Sequence, residues 1–402
     1  MLFSLAPSAM SSCRFPPLRL NGRELLPIVQ GGMGVGVSAH NLAGAVAKQN
    51  AVGTIASVDL RRLHPDLMAR TVRSHDKTPA EIKESINEAN LVALDREVRA
   101  AKAIAGEFGA VAVNVMRAVS DYAAHIRQAC RSGADAIVMG AGLPLDLPDI
   151  AAEYPRVALI PILSDVRGVT LILKKWLRKG RLPDAIVIEH PRYAGGHLGA
   201  AKPEDIGDGR FDFETVLPGV QASFRELGVD PAAVPLIPAG GINTPERVAQ
   251  LLGLGAAAVQ LGTPFAVTEE GDAHPTFKRV LAEASPDDIV TFMSAAGLPA
   301  RAVRTPWLAN YMARAEKLRA AAVGKLHKCT LAWDCLFSCG LRDSLANAGQ
   351  FCIDNQLAAA LRGDLEKGLF FRGSERLPFG DAIRPVKDLI DYMLGGGKPQ
   401  AA

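Results

Sequence analysis

A glycine pair followed by a histidine is the part of this chain best suited to chemistry. Gly195, Gly196 and His197 lie in the run Tyr193–Gly199, shortly after the apolar run Ala185–Glu189, which predicts a buried strand. Two consecutive glycines allow a backbone to approach a flat ligand closely. An imidazole beside them can accept a proton near neutral pH or, as a cation, stabilise developing negative charge. His197 is therefore a candidate catalytic residue.

Two later segments repeat the pattern of an apolar strand followed by a glycine-rich loop. The first is Pro235–Ile242, after which Thr244 and Pro245 have the residue types of a helix N-cap and a first helical position. The second is Ala258–Thr263. Backbone N–H groups in such loops bind anions, and barrels commonly bind phosphate after their seventh and eighth strands. The predicted phosphate-binding residues are Gly240, Gly241, Gln260, Gly262 and Thr263.

Two more positions after apolar runs could contact a ligand. Gly31–Gly34 follows the first run, where glycine allows close approach to a ring, although a tight turn would use the same residues. Asn114 ends the third run, and an amide in an apolar strand must find hydrogen-bond partners. Together with the histidine loop, these patterns predict a planar cofactor that carries a phosphate.

Eight apolar runs supply the strands that would position these residues. They are Leu26–Val29, Val52–Val58, Ala110–Met116, Ala136–Met139, Ala158–Leu163, Ala185–Glu189, Pro235–Pro238 and Ala257–Leu261. Most are continuous rather than alternating, as expected for parallel strands that are buried on both faces. Amphipathic stretches lie between them, at Leu94–Gly106, Ser120–Ser132, Gly168–Gly180, Phe213–Leu227 and Thr244–Leu254. We predict a (β/α)8 TIM barrel rather than a doubly wound sheet, because the acidic residue of the doubly wound fingerprint is missing.

Two segments lie outside the eight predicted strand–helix units, and they set the bounds of the predicted domains. The barrel is expected to span residues 20–270, with a charged, histidine-containing insertion at about 61–90. That insertion is either a solvated loop or a partial cover for the barrel mouth. Residues 271–395 are predicted to form a helical C-terminal cap, and residues 395–402 to be disordered. The helices predicted in the cap are Pro275–Ala284, Ala309–Val323, Leu345–Leu361 and Val386–Leu394.

Composition and charge argue against several classes of partner. The 402 residues are 49% hydrophobic and 22% charged, and their formal net charge is +3. Such a balance fits a folded protein and offers no basic stripe for nucleic acid. No apolar run approaches the ~20 residues of a bilayer span, and the first residues lack the pattern of a secretory signal. We therefore expect a cytoplasmic protein with a small-molecule substrate, and the oligomeric state stays open.

Five motifs together resemble the nitronate monooxygenase (2-nitropropane dioxygenase) family. They are Leu26–Met33, Val113–Asn114, Ala194–Gly199, Pro238–Ile242 and Val259–Thr263, in the order of the family. The resemblance covers about residues 20–300 and implies an FMN-dependent (β/α)8 barrel. It implies oxidation of alkyl nitronates by O2 to a carbonyl compound and nitrite. The motifs bind the flavin, so NAD(P)H-dependent reduction of an enoyl thioester or a quinone is the alternative.

The same resemblance implies a role for each motif. His197 would face the substrate near the reactive flavin nitrogen, and Asn114 would contact the ring or the ribityl chain. The residues implied to bind FMN are Gly32, Met33, Gly34, Asn114, Ala194, Gly195, Gly240, Gly241, Gln260, Gly262 and Thr263. Arg192 and Tyr193 depart from the family, which usually has an acidic residue just before the Ala-Gly-Gly-His motif. This rim could change which substrate enters.

Two interpretations outside flavin chemistry stay open. A sugar-phosphate isomerase or aldolase would use the same glycine-rich phosphate loops, but it usually needs a lysine or an acid pair at strand ends. Here the strand-end acids are only Asp165 and Glu189. The other interpretation is a binding protein of a larger redox complex. The colour and turnover of the isolated protein would distinguish it from a flavoenzyme.

Four cysteines near the C-terminus form a second candidate site. Cys329, Cys335, Cys339 and Cys352 have the spacing C-x5-C-x3-C-x12-C, and they are four of the six cysteines of the chain. Four thiolates with one long gap suit an iron–sulfur cluster such as [4Fe-4S]. Roughly similar spacing closes the cluster site in some other FMN barrels of the dienoyl-CoA reductase type, although their cysteine pattern begins with C-x2-C. Zinc, a redox disulfide and buried free thiols are the other interpretations.

Overall fold

Eight parallel strands close into a barrel in the computed structural model, which describes residues 13–72, 76–323, 329–395 and 397. The strands are, in chain order, β1 (Leu18–Leu20), β2 (Arg23–Leu25), β3 (Ile28–Gln30), β4 (Val52–Ala56), β5 (Ala110–Met116), β6 (Ala136–Gly140), β7 (Ala158–Leu163), β8 (Ile186–Glu189), β9 (Gly196–His197), β10 (Leu236–Ala239), β11 (Val259–Leu261), β12 (Ile289–Met293) and β13 (Pro299–Val303). The barrel order is β3-β4-β5-β6-β7-β8-β10-β11, and β11 pairs back onto β3. Each of the eight predicted runs overlaps one barrel strand, so the predicted TIM barrel is confirmed.

Helices surround the barrel and continue into the C-terminal segment. They are α1 (His40–Lys48), α2 (Pro65–Arg70), α3 (Pro79–Ala105), α4 (Tyr122–Arg131), α5 (Leu147–Ile150), α6 (Val166–Leu177), α7 (Phe213–Glu226), α8 (Pro245–Gly253), α9 (Thr263–Ala266), α10 (Pro275–Glu283), α11 (Pro306–Ala322), α12 (Gly340–Asp343), α13 (Ile353–Leu361) and α14 (Val386–Met393). The predicted cap at Thr244 is confirmed, because its Oγ1 accepts a hydrogen bond of 3.2 Å from the Arg247 N–H. No helix in the described part of the chain is long and apolar enough to cross a membrane.

Small and branched apolar side chains fill the inside of the barrel. Val29, Ala112, Val138, Val187 and Ile237 are at most 3% exposed and belong to one cluster. A larger cluster joins the outer faces of the strands to the helices. Burial on both faces explains why the strand sequences are continuously apolar, and it leaves the strand ends as the place for polar groups.

The C-terminal segment is not helical throughout, which corrects the predicted cap. Strands β12 and β13 form an antiparallel pair, and β13 also pairs with β9, so that three strands make a second sheet. Gly297, with φ +73°, lies in the turn that reverses the chain. The partner of β13 lies about 100 residues earlier in the chain, so local periodicity cannot reveal the pairing. The predicted helix Leu345–Leu361 is also too long, since α13 begins only at Ile353.

The predicted insertion is partly barrel helix. Helix α3 begins at Pro79, where Thr78 and Glu81 form a capping box, and it runs without a break to Ala105. The second half of the 61–90 segment therefore belongs to a helix that packs on the barrel. His75 and most of residues 395–402 lie outside the described residues. The division between barrel and cap near residue 270 stays a prediction.

Candidate functional site

The glycine loop after β3 contacts the ends of two other barrel strands. A side chain on Gly32 would overlap the Cβ of Asn114, which belongs to β5. A Cβ on Gly31 would lie 3.2 Å from the Gln260 Nε2, in β11. The structure therefore brings together three of the predicted cofactor motifs at the carboxyl end of the barrel, where barrel enzymes place their active sites. Glycine is required at position 32 by this packing.

Two amide side chains at this end of the barrel have unused hydrogen-bonding groups. The amides of half-buried Asn114 and of Gln260, which is 9% exposed, make no hydrogen bond to any described residue. Gln30 differs, because its amide nitrogen donates to the carbonyl oxygens of Gly31 and Thr54 and its oxygen accepts from the Thr54 N–H. Buried amides normally have partners, so the first two fit a bound ligand, whereas Gln30 is structural.

In the loop after β11, Gly262 has only an ordinary contact at its side-chain position. The atom nearest to the side-chain position of Gly262 is the Met33 sulfur, at 3.9 Å. Gly34 is similarly uncrowded, with Val58 3.6 Å from its side-chain position. Packing within the chain therefore does not require glycine at positions 34 and 262, which fits glycines that allow close approach to a flat cofactor, as predicted for Gly32, Met33 and Gly34.

The predicted phosphate loop after β10 packs against the histidine loop. Gly240 and Gly241 have φ of +99° and +72°, which favour glycine. A Cβ on Gly240 would lie 3.4 Å from the Ala194 nitrogen, and one on Gly241 would lie 2.8 Å from the Tyr193 ring. These two loops are therefore built as one unit, and each predicted residue in them lies at the same end of the barrel.

His197 belongs to β9 and not to a barrel strand. It pairs with Ala300 of β13, so the cap sheet fixes its backbone. Its Nε2 lies 3.0 Å from the Oγ of Ser294, a residue with 0% exposure. Burial lowers the pKa of His197 to about 4. The half-buried imidazole is therefore neutral at pH 7, which suits a proton acceptor and argues against a cationic role.

Ser294 is a site residue that sequence reasoning missed. It follows β12, in a part of the predicted helical cap for which no element was predicted. Only the pairing of β9 with β13 brings this segment to the histidine. A lone serine after a short apolar run carries no local signal of such a role.

A carboxyl group at the end of β8 also faces this region. The Glu189 carboxyl group makes no hydrogen bond to any residue that the structure describes, and its Oε2 lies 3.5 Å from the side-chain position of Gly199. Burial raises the pKa of Glu189 to about 7. Asp165, the other strand-end acid, instead caps α6 by accepting a 2.7 Å hydrogen bond from the Gly168 N–H. Glu189 alone of the two is available for proton transfer.

The four cysteines lie near one another but do not form a metal cage. Burial raises the pKa of Cys335 well above its usual value, and the charges of Asp354 and of Cys352, Cys339 and Cys329 raise it further. Among the described residues, no group of three or more His, Cys, Asp or Glu side chains is placed to hold a metal ion. The thiols are free, so the iron–sulfur cluster stays a prediction.

Comparisons with known proteins show which family and which fold the chain resembles. A sequence model described as nitronate monooxygenase matches residues 23–396. A probable nitronate monooxygenase from Bacillus subtilis (strain 168) is 27% identical over 287 residues, which cover 70% of this chain and 77% of that protein. A nitroalkane oxidase from Streptomyces ansochromogenes superposes with a TM-score of 0.59 at 20% identity, covering 91% of this chain and 94% of that one. FabK from Thermotoga maritima superposes with a TM-score of 0.58 at 22% identity, covering 92% and 91%. The two solved structures establish a shared fold.

Proposed function

The chain belongs to the nitronate monooxygenase family, whose members are oxidoreductases, and on that premise we propose that it is an FMN-dependent enzyme that oxidises alkyl nitronates with O2. The observation that carries the proposal is the meeting of the glycine loop after β3 with the side chains of Asn114 and Gln260, whose amides make no hydrogen bond to a described residue. When bound, FMN would supply the electron transfer between substrate and O2. The products would be a carbonyl compound and nitrite.

Different residues of the chain would bind the cofactor and transfer the proton. Gly32, Met33 and Gly34 would hold the flat part of the cofactor, and the loops after β10 and β11 would hold its phosphate. His197, neutral at pH 7, would face the substrate and take up a proton at its ring nitrogen. Ser294 would orient that ring through its hydrogen bond to Nε2. A neutral imidazole carries no charge, so His197 would not attract the nitronate anion electrostatically.

A second function, NAD(P)H-dependent reduction of an enoyl thioester or a quinone, is favoured by one observation. Such a reduction needs a proton donor for the substrate, in addition to the cofactor. Glu189, with its pKa raised to about 7, keeps its proton in a substantial fraction of molecules near pH 7. It lies at the end of β8, at the same end of the barrel as the cofactor motifs.

An absorption spectrum of the purified protein, followed by two assays, tests the proposal. Bound flavin, nitrite release from an alkyl nitronate, and no flavin-dependent oxidation of NAD(P)H are the expected results. Rapid NAD(P)H oxidation with an enoyl thioester or a quinone, and no nitrite, would establish the second function instead. A protein that binds no flavin after reconstitution would contradict both.

Replacement of the histidine tests its catalytic role. His197→Ala should lower kcat by roughly 10²–10⁴, the usual scale for loss of an acid–base group. The flavin content should stay equal to that of the parent, because the predicted cofactor contacts are made by other residues and mostly lie on other loops. Steady-state kinetics with a nitronate measure the effect, and near-normal turnover would rule the role out.

A further inference from the structure

A segment near the C-terminus crosses the predicted phosphate loops. This segment, Phe371–Arg376, is called the strap below. Its Gly373 N–H donates a hydrogen bond of 3.0 Å to the Thr263 Oγ1, in the loop after β11. Its Ser374 N–H donates to the Tyr193 carbonyl at 3.2 Å, in the histidine loop. The strap therefore joins the two loops that were predicted to bind the cofactor.

The glycines of the histidine loop are shaped to admit the strap. A Cβ on Gly195 would lie 2.5 Å from the Arg372 carbonyl carbon, too close for any side chain. A Cβ on Gly196 would lie 3.4 Å from the Phe371 ring. Gly195 was predicted to approach the flavin edge, but the side-chain direction of this residue is occupied by the strap. Close packing against the strap is therefore a sufficient reason for glycine at positions 195 and 196, without any contact to a flavin.

The third loop, after β10, is also tied to the strap. The Asn243 Nδ2 donates a hydrogen bond of 2.8 Å to the Arg376 carbonyl oxygen. Asn243 follows the glycine pair 240–241 by two residues. All three loops around the predicted phosphate position thus have a hydrogen bond to the same six residues.

The strap carries a buried arginine, Arg372, that forms no ion pair with a described residue, and Arg301 beside the histidine loop is similar. Arg372 is 3% exposed, and its guanidinium donates to the carbonyl oxygens of Leu281, Gly373 and Glu375 rather than to a carboxylate. Arg301, 7% exposed, donates to the carbonyl oxygens of Pro191 and Ala194. Burial lowers the pKa of both guanidinium groups, and Glu375 is the one acid that opposes this. Two buried cations with one carboxylate nearby favour a dianion such as a phosphate monoester.

The hydrogen bond to Thr263 also has a direction that suits a phosphate. Because the Thr263 Oγ1 accepts from the Gly373 N–H, its own hydrogen is free to be donated elsewhere. Donors in series polarise one another, so the hydroxyl becomes a better donor to a charged acceptor. We propose that the strap forms one wall of the phosphate pocket and that it sets the preference of the enzyme for a phosphorylated flavin. The proposal rests on the proposed function, since FMN is the ligand it assigns.

Comparison of FMN with riboflavin, which lacks the phosphate, tests the proposal on the unaltered protein. Arg376 is exposed, so trypsin can cleave after it. FMN should slow this cleavage, whereas riboflavin at the same occupancy should not. Equal protection by both flavins would overturn the proposal, because a strap that responds to the ring alone does not sense the phosphate.

Gly373→Ala provides the matching variant. A Cβ there would lie 2.9 Å from the Tyr193 carbonyl oxygen, so the strap must shift away from the loops. The FMN Kd, measured by quenching of flavin fluorescence, should rise about tenfold or more, and the riboflavin Kd should not change. Gly253→Ala, at the end of α8 with no atom within 4 Å of the new methyl group, should change neither Kd.

The possible failures are distinguishable. If the parent binds flavin and Gly373→Ala weakens FMN and riboflavin equally, or weakens neither, the strap has no phosphate role while the proposed function survives. If the parent binds neither flavin after reconstitution, the cofactor assignment itself is wrong, and the strap proposal falls with it.

Discussion

The contact between Ser294 and His197 links the catalytic candidate to the cap sheet. The serine is buried, and its hydroxyl lies 3.0 Å from the ring nitrogen. A neutral imidazole has one donor and one acceptor nitrogen, so a fixed partner on one nitrogen determines what the other can do. The orientation of the ring therefore depends on residues of the second sheet.

Ser294→Ala should lower kcat by about fivefold, because one hydrogen bond of roughly 1 kcal/mol no longer holds the ring. The KM and the flavin content should change little. A shift of the acidic limb of the pH–rate profile would separate a positioning role from a general loss of stability. Ser285→Ala, which removes a serine that caps a turn before β12, is the matched control and should keep parental kcat.

Glu189 makes the free energy of unfolding depend on pH. Its folded-state pKa is about 7, above the ordinary value of 4.5. As the pH rises from 4.5 to 7, the unfolded chain loses this proton before the folded chain does, so the free energy of unfolding falls. The loss is up to about 3 kcal/mol and is complete above pH 7.

Glu189→Gln should remove that loss. Urea unfolding at pH 5 and pH 8 measures it: the variant should gain stability relative to the parent as the pH rises. Exposed Glu226→Gln should follow the parent at both pH values. A stability difference between Glu189→Gln and the parent that is the same at both pH values would show that the carboxyl is not held in an unfavourable environment.

At the scale of elements, helix α1 is held at its first turn by a residue from the C-terminal half. The Asp272 carboxylate accepts hydrogen bonds from the N–H groups of Ala39, Asn41 and Leu42, at 2.8, 3.1 and 3.1 Å. The helix has no side-chain cap of its own. A carboxylate at this end also interacts favourably with the helix dipole.

Asp272→Ala should therefore destabilise the fold by about 2 kcal/mol, the upper range for loss of a helix cap. Urea denaturation measures the change. Asp66→Ala, which removes an exposed acid from the first turn of α2, should have a much smaller effect, because its ion pair with Arg96 is open to solvent. Equal effects of the two variants would contradict the capping role.

The barrel could be predicted from the sequence because its signals are local. Each strand is a continuous apolar run, and each loop of the site carries glycines directly after its run, as at Gly240 and Gly241. Three other features join residues that are distant in the chain. They are the pairing of β9 with β13, the capping of α1 by Asp272 and the contact of Ser294 with His197. Periodicity and spacing within a window contain no information on such pairs.

For the whole molecule, the four cysteines decide whether a second redox centre exists. A bound cation would offset the burial and mutual repulsion that raise the pKa of Cys335. Iron, zinc and acid-labile sulfide should be assayed on protein purified without air. If the predicted cluster exists, the parent contains iron and sulfide and Cys335→Ser loses both, whereas Cys130→Ser, a buried cysteine in α4, retains them. A parent without metal would contradict both the cluster and a zinc site.

The strap has a consequence for biosynthesis. The last barrel strand ends at Leu261, but Gly373, which bonds to Thr263, is made much later. At about 5–20 residues per second, a ribosome needs roughly 5–20 s to cover that interval. The barrel strands are thus complete while the wall next to Thr263 is still missing. A chain that terminates early in its final segment would contain every strand of the barrel and yet expose the loops at its mouth, where quality-control proteases and chaperones can recognise it.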